Sequence, residues 1–290
     1  MTFKECLESG KFSIVVQLQP PKGIDLSEIY ESVERLKGRV DAINIPDLQH
    51  AIMRLGSLSV CALLREKGLE VIFNLSCSHR NRLALQSELL NAYVLGIKNV
   101  LIIQGEHPSI GDHFEAKPVF DLDLMGLLGA VKRLQEGYDL MGNDLQGKPQ
   151  FFVGTEVNAS AKGHVLELEV MDMEKKIRMG ADFFFTNSIY DPGLLENFIK
   201  KVSHFKVPII AGITILKSVG MARYMNKHVE GTYIPDSIID RLMKAPDKQK
   251  ESVEITSELI KEIKPLIQGV QIIPIGWENL VPHILDQVGL

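Results

Sequence analysis

The sequence predicts an α/β fold, the (β/α)8 or TIM barrel, in which eight parallel strands close into a ring surrounded by helices. Short apolar segments alternate along the chain with longer amphipathic segments, which is the pattern of repeated βα units. Eight such units fit into 290 residues, and about 250 residues are typical of this barrel. No linker rich in Gly, Ser or Pro and no shift in composition divides the chain. Residues 1–290 are therefore predicted to form a single domain.

The strands are predicted from short apolar runs rich in β-branched and aromatic residues. The first run, FSIVVQL at 12–18, stops just before the consecutive prolines Pro20 and Pro21. An open, doubly wound sheet is the alternative fold, because the number of strands alone does not establish that the sheet closes. The predicted strands span residues 12–18, 41–45, 71–77, 99–105, 151–158, 182–188, 207–215 and 269–275.

The segments between the strands carry helical periodicity, and several of them end at glycine, a frequent helix terminator. The stretch GYDLMGNDLQGKP at 137–149 contains three glycines and is predicted to be a loop. Helices are predicted over 26–38, 55–68, 80–97, 122–137, 165–180, 193–205, 218–229 and 277–288, with one or two more within 235–268.

Composition and charge exclude several classes of protein. The formal net charge is −5 and no long run of Lys or Arg is present, so binding to nucleic acid is not expected. No apolar stretch approaches the roughly 20 residues that span a bilayer, and the start MTFKECLESGKF lacks the apolar core of a signal peptide. These features predict a cytoplasmic protein without a membrane partner.

The three cysteines, Cys6, Cys61 and Cys77, are too few and too scattered for a disulfide framework, a four-thiolate zinc site or an iron–sulfur cluster. His107, Asp112 and His113 are conceivable metal ligands, but Pro108 and Gly111 bend their loop and no ligand spacing is apparent. No metal is therefore predicted.

In a barrel of this type the active site lies at the carboxyl ends of the strands. The polar residues at the predicted strand ends are mostly amides and hydroxyls, with few paired carboxylates, which suits hydrogen bonding to a heterocyclic ligand. No glycine-rich dinucleotide or phosphate-binding motif is present, so a nucleotide would be held by the barrel loops. These residues are Gln17, Gln19, Asn44, Asp47, Asn74, Ser76, Ser78, His79, Gln104, Glu106, His107, Thr155, Glu156, Asn158, Thr186, Asn187, Asp191, Thr214, Lys217, Trp277 and Glu278.

Taken in order, the strand-end segments resemble the methylenetetrahydrofolate reductase family. The resemblance runs from VVQLQPPKGID to GVQIIPIGWE, and its most specific blocks are RNRLALQSELL and GADFFFTNSIYD. It implies a (β/α)8 barrel that holds FAD at the carboxyl ends of the strands. It also implies transfer of a hydride from reduced nicotinamide through flavin to 5,10-methylenetetrahydrofolate, which yields 5-methyltetrahydrofolate.

The resemblance further implies roles for individual residues. Glu106 of QGEHP stands where the family usually has an aspartate close to both flavin and folate, and Asn187 of FTNSIYD replaces a glutamine that contacts substrate. Lys176 falls at a position near the flavin phosphates. The implied flavin contacts are Asn44, Asn74, Gln104, Glu106, Asn158 and Lys176.

Gln17 departs from the family pattern. It occupies the catalytic and substrate-binding position of a glutamate, in the motif Glu-x-x-Pro-Pro, that gives a proton to the folate nitrogen. Glutamine can form hydrogen bonds but cannot act as an acid, and loss of a positioned general acid typically costs about 10²–10⁴-fold in rate. The proton could instead come from Glu106, Glu156, His79 or water.

Two other interpretations of this departure are open. The protein could run a related flavin or folate reaction that needs no such acid. Alternatively, it could bind a tetrahydrofolate derivative without redox chemistry, in methyl transfer or as a non-catalytic subunit of a complex. For the reductase interpretation, the electron donor would be NADH, NADPH, ferredoxin or a partner subunit. The resemblance also implies a homo-oligomer or a subunit of a larger complex.

Overall fold

Eight parallel strands close into a barrel in the order of the chain in this computed structural model, which describes residues 1–290. The ring closes where Ser13 of the first strand pairs with Gly269 of the last. This closure confirms the predicted barrel and rules out the open sheet. The strands are β1 (Ser13–Gln17), β2 (Ala42–Ile45), β3 (Val71–Ser76), β4 (Asn99–Ile103), β5 (Phe152–Val157), β6 (Phe183–Ser188), β7 (Ile209–Thr214) and β8 (Gly269–Ile273).

Every predicted strand is present, with ends within two residues of the predicted ones. The stretch 235–268 contains two helices, and 137–149 contains only an isolated bridge between Tyr138 and Asp144. None of the helices combines the length and the apolar character needed to span a membrane. The helices are α1 (Phe3–Glu8), α2 (Ser27–Leu36), α3 (Ser57–Glu66), α4 (Arg82–Val94), α5 (Leu124–Glu136), α6 (Gly163–Arg178), α7 (Pro192–Val202), α8 (Val219–His228), α9 (Asp236–Lys244), α10 (Lys248–Ile263) and α11 (Val281–Val288).

Two separate hydrophobic cores hold the barrel together. The larger contains 63 buried residues between the strands and the helices, and the smaller contains ten residues inside the barrel. Successive side chains of a strand point to opposite faces, so every second residue of each strand points inward. The inner core includes one residue from each of four strands, namely Val15, Ala42, Ile72 and Phe152. Further along the same strands, the inward positions are occupied by the polar residues Gln17, Asn44, Asn74 and Glu156. The barrel interior therefore changes from apolar to polar at the carboxyl ends of the strands.

The amino end of the barrel is covered by α1, which the sequence analysis did not predict. Phe3 of this helix is fully buried and packs edge-on against Phe152 and Phe183, with ring centroids 6.0 and 5.4 Å away. Gly154 leaves the space that the Phe183 ring occupies, since a Cβ at residue 154 would lie 2.2 Å from Cζ of that ring. The polar carboxyl end, which we call the mouth, is thus the end available for a ligand.

Candidate active site

Gln17 lies at the mouth and is bound to the protein on both sides. Its Oε1 accepts a hydrogen bond of 2.9 Å from Nε2 of Gln271 on β8, and its Nε2 donates one of 3.0 Å to Oε1 of Gln49. Gln17 and Gln271 are both buried. Three amide side chains therefore form a chain from β8 across β1 to the loop after β2.

Asn44 and Asn74 point inward from the neighbouring strands β2 and β3, and both are buried. Their Oδ1 atoms have no hydrogen-bond partner in the protein. A buried acceptor left unpaired costs about 1–3 kcal/mol, so two of them on neighbouring strands call for an explanation. The N–H groups of a heterocyclic ring are suitable donors for such oxygens.

Glu106, which follows β4, forms an ion pair with His50, whose Nδ1 lies 3.1 Å from Oε1 of the carboxylate. Partial burial would raise the pKa of Glu106, but the hydrogen bond and the charge of His50 outweigh burial and leave this pKa lowered. The same hydrogen bond raises the pKa of His50. His50 is not among the site residues predicted from the sequence, although it follows β2 closely enough to lie in one of the loops of the mouth.

The loop segment 48–51, which we call the strap, has an unusual backbone. Leu48, His50 and Ala51 have φ values of 48°, 60° and 52°, in the left-handed region that residues other than glycine rarely adopt. Such conformations cost about 1–3 kcal/mol each and persist only where the surrounding structure imposes them. Here Gly111 packs directly against the strap, since a Cβ on Gly111 would lie 1.9 Å from the carbonyl oxygen of Ala51. The loops after β2 and β4 are therefore docked on each other.

Glu156 and Lys176 mark the side of the mouth near β5. Glu156 is the one exposed residue of its strand, so its side chain opens onto the mouth, yet the surrounding protein desolvates the carboxyl group enough to raise its pKa. The positive charge of Lys176 opposes this rise and the negative charge of Glu106 adds to it. The pKa values of the two carboxyl groups at the mouth are thus shifted in opposite directions, an arrangement that distinguishes an acid from a base in many active sites.

Lys176 itself is almost completely buried. Its Nζ donates a hydrogen bond of 2.9 Å to the backbone oxygen of Glu156 and lies 2.7 Å from the carboxylate of Asp172. The ammonium group is therefore already neutralised by a carboxylate, and a phosphate group would have to share it with Asp172.

Asn187 and Asn158 hold loops of the mouth in place. Nδ2 of Asn187 donates to the backbone oxygen of Gly231 at 2.6 Å and to Oγ of Ser160 at 2.8 Å, while its Oδ1 accepts from the backbone N–H of Ala159 at 2.8 Å. Oδ1 of Asn158 accepts from the backbone N–H of Ser160. Asn187 therefore connects β6 with the loop after β5 and with the segment around Gly231, whereas the Asn158 side chain stabilises the loop after β5 from within.

Gln104 is also engaged with the protein. Its Oε1 accepts a hydrogen bond of 2.9 Å from the backbone N–H of Leu124, the first residue of α5. Of the predicted flavin contacts, Asn44 and Asn74 are thus the two whose buried side-chain oxygens are free of protein partners.

A buried ion pair fixes the ends of β2 and β3. Both oxygens of Asp47 accept from Arg80, at 2.7 and 3.1 Å, and one of them also accepts from the backbone N–H and the hydroxyl group of Ser76. His79 lies beside this pair, and burial lowers its pKa. Because the neutral imidazole is then favoured, His79 is poorly suited to donate a proton at neutral pH.

The cysteines and the candidate metal ligands do not form reactive groupings. No cluster of three or more His, Cys, Asp or Glu side chains has the arrangement of a metal site. The side chain of His113 forms a hydrogen bond with Asp112, and that of His107 forms one with Ser109. Burial raises the pKa of the Cys77 thiol to about 12, so this side chain remains a neutral thiol.

Comparison with known sequences identifies a family and several relatives. The family model described as methylenetetrahydrofolate reductase matches residues 2–289. Methylenetetrahydrofolate reductase 2 of Schizosaccharomyces pombe is 24% identical over 231 residues, which cover 75% of this chain and 35% of that protein. The protein of the same name from Saccharomyces cerevisiae is 26% identical over 206 residues, which cover 68% of this chain and 32% of that protein. The matched part amounts to about a third of the length of these curated relatives.

Solved structures share the fold. An uncharacterised protein from Clostridium thermocellum, described as binding two copies of 5-methyl-5,6,7,8-tetrahydrofolic acid, superposes with a TM-score of 0.66 and 18% identity, covering 98% of this chain and 96% of that one. A 2,3-dimethylmalate lyase superposes with a TM-score of 0.55 and 12% identity, covering 99% and 87%. At these identities the likeness concerns the barrel fold.

Proposed function

Because the chain belongs to the methylenetetrahydrofolate reductase family, we propose that it catalyses the flavin-dependent reduction of 5,10-methylenetetrahydrofolate to 5-methyltetrahydrofolate, or the reverse reaction. The observation that carries this proposal is the pair of buried, unpartnered amide oxygens of Asn44 and Asn74. They lie inside a barrel mouth whose other polar side chains are largely bonded to the protein. Ring N–H groups of a flavin or a pterin are suitable donors for both oxygens.

The residues of the mouth fit FAD unevenly. Asn44 and Asn74 suit the ring, and α6 begins after Lys162 without a side-chain cap, which leaves its first backbone N–H groups available to a diphosphate. Lys176 could reach a phosphate only by sharing its ammonium group with Asp172. When bound, the flavin supplies the chemistry of hydride transfer.

The protein's own groups would bind and orient the folate. Glu106 is ionised, so it can accept hydrogen bonds from the amino and ring N–H groups of a pterin. Gln17 contributes an N–H that is already directed at Gln49, and it can orient a ligand but cannot protonate it. Positioning by such fixed groups is a large part of catalysis when the chemistry belongs to a cofactor.

A second candidate function is binding of a tetrahydrofolate derivative without redox chemistry, in methyl transfer or as a non-catalytic subunit of a complex. The absence of an acid at Gln17 favours it. The structurally similar protein from Clostridium thermocellum, described as binding two copies of 5-methyltetrahydrofolic acid, also favours it. In this function the unpartnered oxygens of Asn44 and Asn74 would bind a pterin.

Anaerobic titration of the purified protein distinguishes the two functions. For the reductase, we expect the protein to bind added FAD and to turn yellow, and we expect 5-methyltetrahydrofolate to bleach that colour as the flavin is reduced. A protein that stays colourless with FAD but binds 5-methyltetrahydrofolate in calorimetry would support the second function and contradict the first.

The same preparation tests the electron donor. Bleaching by NADH or NADPH would identify a reduced nicotinamide as the donor, whereas no bleaching by either would indicate ferredoxin or a partner subunit. We further propose a cytoplasmic location and assembly as a homo-oligomer or within a complex, which sedimentation of the purified protein and co-purification of its partners would test.

A further inference from the structure

We propose that His50 and Glu106 form a proton relay that supplies the proton which Gln17 cannot give. This inference rests on the reductase function proposed above and deepens it, because it assigns the acid that the first strand lacks. His50 would act through Glu106 and is therefore a positioning and relay residue.

The strap places His50 next to both critical positions of the mouth. Nδ1 of His50 lies 3.1 Å from Oε1 of Glu106, and the preceding residue, Gln49, accepts the hydrogen bond of 3.0 Å from Gln17. One short segment of the loop after β2 thus contacts the side chain at the family's acid position and the carboxylate that follows β4.

The strap is held in this position by contacts on its far side. Gly111 packs against the carbonyl group of Ala51, the backbone N–H of Met53 donates to Asp112 at 3.0 Å, and Asp112 is in turn paired with Lys22. These contacts come from the loops after β1 and β4. They maintain the left-handed backbone of His50 and with it the direction of the imidazole ring.

The charges around the pair favour a proton on His50. The Glu106 carboxylate is the dominant influence and raises the pKa of His50, whereas partial burial and the nearby Arg54 lower it by less. His79 and Glu156 are the other titratable groups that interact with Glu106. The charge of His79 would lower the pKa of the Glu106 carboxyl group, and the charge of Glu106 raises the pKa of Glu156. Beyond these groups, the Lys22–Asp112 ion pair borders the strap.

Both members of the pair can exchange protons with water and with a ligand. The side chain of His50 is 62% exposed and that of Glu106 is 40% exposed. An imidazolium group that contacts water can be reprotonated after each turnover. A partly enclosed carboxylate that faces the mouth can pass the proton inward.

The proposed step balances in atoms and charge. When the methylene carbon of the folate receives the hydride that a bound reduced flavin would supply, its bond to one folate nitrogen breaks. The ionised Glu106 takes a proton from Nδ1 of His50 and passes it to that nitrogen, and the neutral imidazole then takes a proton from water. The net consumption is one hydride and one proton, which converts the methylene group to a methyl group.

The first test needs no flavin. We expect histidine NMR titration of the flavin-free protein to show one resonance that is absent in His50→Asn and whose pKa lies above that of an ordinary histidine. Asparagine is chosen because it tolerates a left-handed backbone and its Nδ2 can still donate to Glu106. In Glu106→Gln that pKa should fall. A His50 resonance with an ordinary or lowered pKa, or one that Glu106→Gln leaves unchanged, overturns the relay.

The second test follows reoxidation of the reduced, flavin-loaded protein by 5,10-methylenetetrahydrofolate in a single turnover. Because the imidazolium form is the donor, the wild-type rate should be highest below the pKa of His50 and fall as pH rises through it. His50→Asn should lower the rate by about 10²-fold or more and remove this pH dependence, the loss expected for a missing proton donor. Reduction of the flavin by its electron donor should be unchanged.

His113→Asn is the matched control. His113 is also 62% exposed and also paired with a carboxylate, that of Asp112 at 2.9 Å, on the loop that carries Glu106. We expect this variant to reoxidise at the wild-type rate. If His50→Asn behaves like His113→Asn, the relay is wrong while the reductase function stands. If the wild type itself is not reoxidised by the folate, the reductase function and the relay resting on it both fail.

Discussion

At the scale of single residues, the mouth contains buried hydrogen-bond acceptors without a partner, which lower the stability of the folded protein. Asn44 has a buried oxygen without a partner, whereas Asn99, at the start of β4, donates from its side-chain amide to Glu70 and to the backbone oxygen of Val71. Both asparagines are buried, but only Asn99 is satisfied by the protein. This contrast supports the proposal that Asn44 serves a ligand, whereas Asn99 serves the fold.

We predict that Asn44→Leu stabilises the ligand-free protein while weakening ligand binding. Removal of an unpaired buried acceptor should raise the free energy of unfolding by about 1–2 kcal/mol. FAD or folate affinity should fall, because the ligand loses one acceptor. Urea denaturation and calorimetry measure the two effects.

Asn99→Leu is the control, and it should destabilise the protein because it removes the side-chain donor to the backbone oxygen of Val71 and one of the donors to Glu70. A loss of stability in Asn44→Leu as large as that in Asn99→Leu would mean that Asn44 serves the fold.

A second prediction concerns Gln17. In the wild type, Gln17→Glu should change the single-turnover rate little, because the His50–Glu106 relay already supplies the proton. In the His50→Asn background the same change should raise the rate at least about tenfold, since a carboxyl group buried at this position would be protonated and could act as the acid.

Rapid-mixing measurements of flavin reoxidation in the four combinations of these two changes test this prediction. A large gain from Gln17→Glu alone would show that the wild type lacks an efficient proton donor. Such a result would contradict the relay.

At the scale of elements, the strands were predictable and the strap was not. The run FFFT predicts the strand β6, because a strand that is covered on both faces needs continuous apolar side chains. The strap adopts positive φ at Leu48, His50 and Ala51, where sequence reasoning expects Gly or Asn. The conformation of the strap is imposed by its contact with Gly111 in the loop after β4. The sequence of the strap itself therefore contains no pattern that predicts this conformation.

The site residues show the same division. Gln17, Asn44, Asn74 and Glu106 could be placed at the mouth from the sequence, because each lies at or just after the end of a parallel strand. The hydrogen-bond partners of these residues could not be predicted from the sequence. For example, the hydrogen bond between Gln17 and Gln271 joins residues 254 positions apart and depends on closure of the barrel. The resemblance-based roles of the site residues stay predictions that bound ligands must test.

The helix α1 was missed for a related reason. It has only six residues, too few to show a clear helical period, and its identity depends on the apolar barrel end that it covers. Its N-terminus nevertheless has a capping box, in which Thr2 accepts from the backbone N–H of Glu5 and the Glu5 side chain accepts from that of Thr2.

We predict that Phe3→Ala lowers the free energy of unfolding by about 3–5 kcal/mol, the usual cost of truncating a buried phenylalanine. The cost should be high because the Phe3 ring packs on Phe152 and Phe183 inside the barrel. Urea denaturation measures the change. Glu8→Ala, on the exposed side of the same helix, should shift the free energy by less than about 0.5 kcal/mol. Equal effects of the two changes would mean that α1 does not close the barrel.

At the scale of the whole molecule, one end of the barrel is filled by α1 and the other carries unsatisfied polar groups. The pairing of β1 with β8 joins the beginning and the end of the fold, so a ligand held at the mouth contacts strands from distant parts of the chain. Binding there should stabilise the fold as a unit, because the ligand binds the closed ring and not the unfolded chain.

We therefore predict that FAD at 100 times its dissociation constant raises the free energy of unfolding of the flavin-free protein by about 2.7 kcal/mol. Anaerobic thermal or urea unfolding, followed in parallel by near- and far-ultraviolet circular dichroism, should show the shift in both signals, as expected if residues 1–290 unfold together. Adenosine diphosphate lacks the isoalloxazine ring and therefore has no group to bind the oxygens of Asn44 and Asn74. At the same concentration as FAD, it should stabilise the protein much less. Stabilisation by 5-methyltetrahydrofolate with none by FAD would assign the mouth to folate alone and favour the function without redox chemistry.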